Sequence, residues 1–157
     1  MKDRIVTANM LALLGPAALL AGAYGFQYIG HIPPCEMCWW QRYAHMAAVA
    51  LALMAMMLRG GVRRAFVLLA AAAIAVSGLI GIYHAGIEQK WWEGVTACTA
   101  PMISGSVQDV LAQVMATPLV RCDTIPWSLF GISMAGWNAI LSLLCAGVVT
   151  WLTTRRR

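Results

Sequence analysis

Four apolar stretches constrain this chain more than any other feature. A membrane-spanning helix needs about 20 mostly apolar residues, and such runs fall at about residues 8–29, 43–58, 65–83 and 132–152. Inside hydrocarbon every backbone N–H and C=O must be satisfied within its own segment, so these runs specify helices. The composition agrees, since 61% of the 157 residues are hydrophobic and only 11% are charged, against about 25% charged in a soluble globular domain. The expected fold is an all-α membrane protein: one integral membrane domain over residues 1–157, built as a four-transmembrane-helix bundle. The intervening loops lie at about 30–42 and 84–131, and Pro16 is expected to kink the first span.

The charges orient the bundle. Lys2 and Arg4 precede the first span, Arg59, Arg63 and Arg64 join the second to the third, and Arg155, Arg156 and Arg157 close the chain. With four spans these segments share one side, which the bias of cytoplasmic loops towards Lys and Arg makes the cytoplasm. The opposite side holds Arg42, Lys90 and Arg121 among Glu36, Glu88, Glu93, Asp109 and Asp123. The formal charge of +5 is therefore an orientation signal, and no nucleic-acid partner is expected. Trp39, Trp40, Trp91, Trp92 and Trp127 fall near span ends, where indoles favour the headgroup region. A basic start, an apolar run and Ala21-Gly22-Ala23 also resemble a cleavable leader. The apolar run continues through Tyr24, Phe26, Tyr28 and Ile29, however, and a span is the expectation.

The outer side carries the chemistry. Of five cysteines, Cys35 and Cys38 fall in the first outer loop and Cys98 and Cys122 in the second, on the side where disulfides persist. Cys145 sits in the fourth span among Leu143, Leu144 and Val148, as a small hydrophobe would. Cys98 and Cys122 could staple their loop for about 3 kcal/mol of loop entropy. A bridge across the two residues between Cys35 and Cys38 would restrict little chain, so a redox role suits that pair better. A four-cysteine zinc site is an alternative, but Cys98 and Cys122 lack the paired spacing of a zinc knuckle. Covalent haem attachment needs His after the second cysteine, and Trp39 follows Cys38.

Cys38 lies near the start of the second helix, where the partial positive charge favours a thiolate. Arg42 follows one turn later on the same face, placed to hold that charge or a polar acceptor. Interfacial snorkelling is the simpler role for a lone arginine there. His84 and Glu88 stand four residues apart at the outer end of the third span. Polar groups at membrane depth suggest a functional site by default, and these could line a pocket with Arg42 for a lipid-soluble ring bearing carbonyl oxygens. His45 is harder to place, and His31 belongs to the loop. Ser106-Val107-Gln108-Asp109 reads as a capping box, followed by Val110, Leu111, Val114 and Met115 at helical spacing and ended by Pro118. This short amphipathic helix is expected to lie horizontally in the outer interface, or else to pack on a partner. Pro101 and Gly105 would allow the surrounding loop to move.

These residues together resemble the DsbB family, the disulfide bond formation proteins B of bacterial inner membranes. The resemblance covers nearly the whole chain: Cys35-x-x-Cys38 with Arg42, His84-Ala-Gly-Ile-Glu88, the Cys98 and Cys122 pair, Cys122-Asp-Thr-Ile-Pro-Trp127, and Leu129-Phe-Gly-Ile-Ser-Met-Ala-Gly-Trp137-Asn138. It implies a quinone-coupled thiol oxidase that reoxidises a DsbA-like periplasmic thiol oxidase. Cys98 would form the mixed disulfide with that partner, and its released mate Cys122 would exchange with Cys35. Cys38 would become the thiolate beside ubiquinone or menaquinone, with Arg42, His84 and Glu88 lining the quinone pocket. Glu88 departs from members with an amide there. The resemblance places the protein in the bacterial inner membrane, with both termini cytoplasmic and the redox cysteines periplasmic. Two other readings stay open. A vitamin-K-epoxide-reductase-like enzyme would use a different span plan, and a non-enzymatic tetraspan scaffold would use the cysteines only as staples.

Overall fold

A computed structural model of the chain describes residues 2–94, 106–116 and 120–155. Its elements in chain order are α1 (Lys2–Tyr28), α2 (Glu36–Met57), α3 (Gly60–Glu88), α4 (Val107–Ala116), β1 (Ser128–Leu129), β2 (Ile132–Ser133) and α5 (Met134–Thr154). Three helices are long and apolar enough to cross a membrane: Arg4–Tyr28 of α1, all of α3 and all of α5. α2 has 22 residues, a length of about 33 Å at 1.5 Å per residue, but its first turns carry Gln41, Arg42 and His45. All three are buried inside the bundle, so the polarity that separates α2 from the others faces protein. α1 continues through Pro16 as one helix.

The helices outrun the apolar runs that announce them. α3 has 29 residues and is about 43 Å long, against a hydrocarbon thickness of about 30 Å. It is therefore longer than that hydrocarbon is thick, and its last turn carries His84 and Glu88. α3 packs closely with both α2 and α5, and small residues let the backbones approach. A Cβ added at Gly81 would lie 3.0 Å from the Ala135 carbonyl oxygen, and one at Gly78 would lie 2.9 Å from Leu143. Helix packing between lipid-embedded segments rests on such close van der Waals contact, because lipid tails are as apolar as the side chains. The core is accordingly rich in alanine, with Ala12, Ala48, Ala52, Ala55 and Ala70 fully buried, while Leu69, Val76, Leu79 and Leu144 face outward. Cys145 packs into the α1–α5 seam against Gly15, where an added Cβ would meet its sulfur at 2.7 Å.

Local chemistry ends and joins these helices. The fourth apolar run was expected to be helical from about residue 132, but Ile132 and Ser133 form β2 and pair with Leu129 and Ser128. The reason is twofold. Ser133 caps α5, its Oγ accepting the Gly136 N–H at 3.1 Å, and Phe130 and Gly131 both have positive φ, 53° and 76°, as a two-residue type I′ hairpin turn requires. At the end of α3, Lys90 takes a left-handed φ of 59°, and Trp92 folds back to donate its indole N–H to the Tyr83 carbonyl. The capping box at α4 is present: Asp109 N–H donates to Ser106 Oγ at 3.3 Å, and Ser106 N–H donates to Asp109 Oδ2 at 3.0 Å. Val107, Leu111 and Met115 form an exposed apolar edge of α4. Pro101, Gly105 and Pro118 lie outside the described residues.

Candidate redox site

Cys35 occupies the N-cap of α2, with extended backbone and a sulfur that accepts the Cys38 N–H at 3.4 Å. This fixes its side chain over the first turn, and the Cys35 S–H donates to the Cys38 sulfur at 3.1 Å. The second cysteine pair reaches the same point. Cys122 is fully buried, and its sulfur, the Cys35 sulfur and a His84 ring nitrogen all lie within 4.8 Å of one another. Two thiols, one from the N-cap of α2 and one from the segment before the hairpin, thus meet one imidazole, with Cys38 beside them in the first turn of α2. The proton distribution among them is uneven. Hydrogen bonding from Cys35 holds the Cys38 thiol well down, at about 4, with help from His84. Interaction with Cys122 and then with Cys38 pushes the Cys35 thiol up. The pair therefore shares its charge as a Cys38 thiolate beside a protonated Cys35, and α2's N-terminal dipole favours the same assignment.

Behind the sulfurs lies a buried hydrogen-bonded network that the sequence only hinted at. Gln41 Nε2 bonds His84 Nδ1 at 3.0 Å and Met37 O at 3.2 Å, while Gln41 Oε1 accepts from Asn138 Nδ2 at 2.8 Å. With its amide so oriented, Gln41 donates to Nδ1, and the His84 proton sits on Nε2. Nε2 faces Cys35 Sγ at 3.6 Å and Glu88 Oε1 at 3.8 Å. The network continues from Asn138 Oδ1 to His45 Nε2 at 2.9 Å and Ser142 Oγ at 3.1 Å, and from His45 to Ser77 Oγ at 2.9 Å. Ser77 in turn donates to the Gln41 carbonyl at 3.1 Å. His45 is thus a cross-helix strut linking α2, α3 and α5. Its polar neighbours were legible as isolated polar residues within apolar runs, the signal that marks intramembrane function.

A cavity of about 560 Å³ opens beside the sulfurs between α1, α2, α5 and the hairpin. Leu19, Phe26, Trp127, Met134 and Leu141 supply apolar wall, and Cys38, Arg42, His84 and Glu88 supply polar points. Arg42 is 5% exposed and is held from several directions. Its Nη1 donates to Gln27 Oε1 and its Nη2 to the Ala23 carbonyl, and its guanidinium carbon lies 4.9 Å from the Tyr24 ring centre and 5.0 Å from that of Trp39. Arg42 Nε makes no hydrogen bond. Burial and stacking on this scale exceed what snorkelling would give. Trp127 packs on Phe26 with ring centres 4.8 Å apart and ring planes tilted by 51°, and the Trp137 indole donates to Leu129 O at 3.1 Å, so both tryptophans tie the hairpin region to the helices.

The structure therefore brings together Cys35, Cys38, Cys122, Arg42, His84 and Glu88. Cys98 lies outside the described residues. Tyr24, Gln27, Gln41 and Asn138 are additional side chains at the site.

The family model described as disulfide bond formation protein DsbB matches residues 6–152. A disulfide bond formation protein B of Marinobacter nauticus is 30% identical over 156 residues, covering 93% of this chain and 90% of its own. One of Chromobacterium violaceum is 32% identical over 168 residues, covering 95% of each. A protein of Burkholderia lata named disulfide bond formation protein B 1 is 30% identical, covering 95% of this chain and 91% of its own. No solved structure matches the chain. With a family match spanning nearly its whole length, three membrane-capable helices and a cluster of cysteines at one end of the bundle, the chain belongs to the DsbB family of membrane proteins involved in disulfide bond formation.

Proposed function

We propose that this protein is a quinone-dependent thiol oxidase of the bacterial inner membrane that reoxidises a DsbA-like periplasmic dithiol protein. The observation that carries the reading is the meeting of Cys122 with Cys35, while Cys38 turns its thiolate towards an apolar cavity. Cys98 accepts the partner's thiolate in a mixed disulfide, and the released Cys122 thiolate attacks Cys35. That exchange breaks the Cys35–Cys38 bond, forms a Cys35–Cys122 bond and leaves Cys38 as the thiolate. A poor nucleophile becomes a good leaving group when its thiolate is stabilised, and Cys35 and α2's dipole stabilise Cys38.

The cavity fits a quinone: its walls are apolar, and the buried Arg42 Nε lacks a partner that a ring carbonyl would supply. When bound, the quinone accepts two electrons and two protons, so dithiol plus quinone gives disulfide plus quinol. Arg42 orients a carbonyl and stabilises negative charge developing on it. His84, with its proton on Nε2, holds the thiol cluster in register. In this reading α2 is the fourth span from about Tyr43, so Cys35 and Cys38 precede the membrane. α4 lies along the outer interface with Val107, Leu111 and Met115 towards lipid, and both termini are cytoplasmic.

The test is quinol formation by purified protein in detergent, given a reduced thioredoxin-like dithiol donor and either ubiquinone or menaquinone. Donor-dependent turnover that is lost in Cys38→Ser and Cys98→Ser is expected. Folded protein with a reducible Cys35–Cys38 bond and no turnover would leave a stapled tetraspan scaffold as the better description.

A further inference from the structure

Resting on that redox reading, the geometry points to a binding site for a thiophilic divalent cation, of the zinc and cadmium class, in the fully reduced protein. Its ligands are Cys35, Cys122 and His84, with Glu88 as the fourth, and its occupation holds the relay shut. The three ligand atoms lie within 4.8 Å of one another, and all three residues are buried. In a tetrahedral zinc site with Zn–S near 2.3 Å and Zn–N near 2.0 Å, ligand atoms stand roughly 3.5–3.8 Å apart. Cys35 Sγ and His84 Nε2 are 3.6 Å apart, already at that spacing.

Glu88 supplies the independent observation. The residue is 7% exposed and its Oε2 makes no hydrogen bond, while its Oε1 stands 3.8 Å from the same His84 nitrogen. Glu88 lies outside the three-atom cluster, and its carboxyl group also hydrogen-bonds Ser133, so Oε2 is the oxygen left to complete a cation site. The ligands also come from different places: the N-cap of α2, the last turn of α3 and the segment before the hairpin. Such a site is preformed by tertiary packing and is more than chelation by one Cys-x-x-Cys loop. Two thiolates neutralise a dication, and the Glu88 carboxylate as fourth ligand leaves the bound site one negative charge.

Binding releases one proton from each thiol and transfers no electrons. A sulfur held in a disulfide has no thiolate to offer, so the cation and the oxidised relay exclude each other. By mass action the cation stabilises the reduced protein, and it ties up the Cys35 and Cys122 thiolates so that neither can be reoxidised to a disulfide. Coordination through Nε2 moves the His84 ring proton to Nδ1; Gln41 can accept it by turning its amide, at the loss of its bonds to Met37 O and Asn138 Nδ2.

The experiment uses full-length protein in detergent, reduced and then freed of reductant under anaerobic conditions. Cadmium is titrated and read by its thiolate charge-transfer absorption, and zinc is titrated by competition with a chromophoric chelator. One ion per reduced chain is expected, and none on oxidised protein. Cys122→Ser and His84→Ala should each weaken binding at least about tenfold, and Cys122→Ser should also lower the charge-transfer intensity. Cys98→Ser and Cys145→Ser should bind as wild type does. Unchanged affinity in Cys122→Ser, or equal binding by oxidised protein, overturns the proposal. Glu88→Gln, which keeps the side chain's shape, should weaken zinc measurably and carries the test if Cys122→Ser misfolds; unchanged zinc affinity in both Glu88→Gln and His84→Ala would also overturn the site. The readout needs neither quinone nor donor, so loss of the oxidase reading would show separately, as failure to form quinol from a protein that still binds one cation.

Discussion

Cys38 carries the sharpest consequence at the scale of single residues. An ordinary thiol near 8.5 becomes more reactive roughly tenfold per pH unit below that value, because only the thiolate attacks. Cys38 is held down at about 4, chiefly by the hydrogen bond from Cys35. The sign follows directly: its charged form dominates above that value and is lost only as pH falls through it. Alkylation of the reduced protein at Cys38, followed by mass spectrometry, should be nearly flat from about pH 6 to 8. In Cys35→Ala, which removes the S–H donor, the rate should regain a steep rise across that range. A steep rise in the wild-type protein would show that the Cys35–Cys38 contact does not set the charge. The division of labour between two adjacent cysteines was partly legible in the sequence, since helix-start position and Arg42 both pointed to Cys38. The contribution of His84 was not, because a residue 46 positions further along reaches the sulfurs only through the packing of α3 on α2.

Helices in this bundle are positioned by what their faces lack. Gly78 and Gly81 let α3 lie against α5, and at Gly81 the two nearest atoms are backbone, which cannot move aside as a flexible side chain can. Gly81→Leu should therefore lower the thermal unfolding midpoint in detergent, with a cost of about 1–3 kcal/mol typical of overpacking. It should also loosen Asn138, whose amide nitrogen lies 3.2 Å from the same added Cβ. Gly147→Leu is the control, because nothing lies within 4 Å of a Cβ there, and its midpoint should match wild type. Equal midpoints for both variants would mean that the α3–α5 approach is looser than described. Element type was readable from the apolar runs, and the capping box announced α4. Boundaries were less so: hydropathy marks the part of a helix that meets lipid, whereas α3 and α1 continue as helix beyond it. Ile132 looked like the start of a span because it is apolar, yet the Phe130-Gly131 turn recruits it to a strand.

For the whole molecule, the same polar residues that build the site lower the hydropathy of the helix that carries them. Gln41, Arg42 and His45 dilute the apolar character of α2, yet they are buried against α1, α3 and α5 and need not meet lipid. Composition cannot see which way a side chain faces, so hydropathy is weakest where function is densest. What remained readable was the alternation of basic segments, and it makes a claim about topology independent of hydropathy. If α2 crosses the membrane, Val62 after it and Ile125 near the hairpin lie on opposite sides. Both are exposed, at 55% and 41%. Each can be replaced by cysteine in a chain whose native cysteines are serine, then offered a membrane-impermeant maleimide on intact spheroplasts. Ile125→Cys should be labelled at once and Val62→Cys only after the membrane is permeabilised, as the bias of cytoplasmic loops towards Lys and Arg predicts for the junction with Arg59, Arg63 and Arg64. Labelling of both from outside would remove α2 as a span. It would also count against the proposed transfer of electrons from the cysteine cluster to a lipid-soluble acceptor.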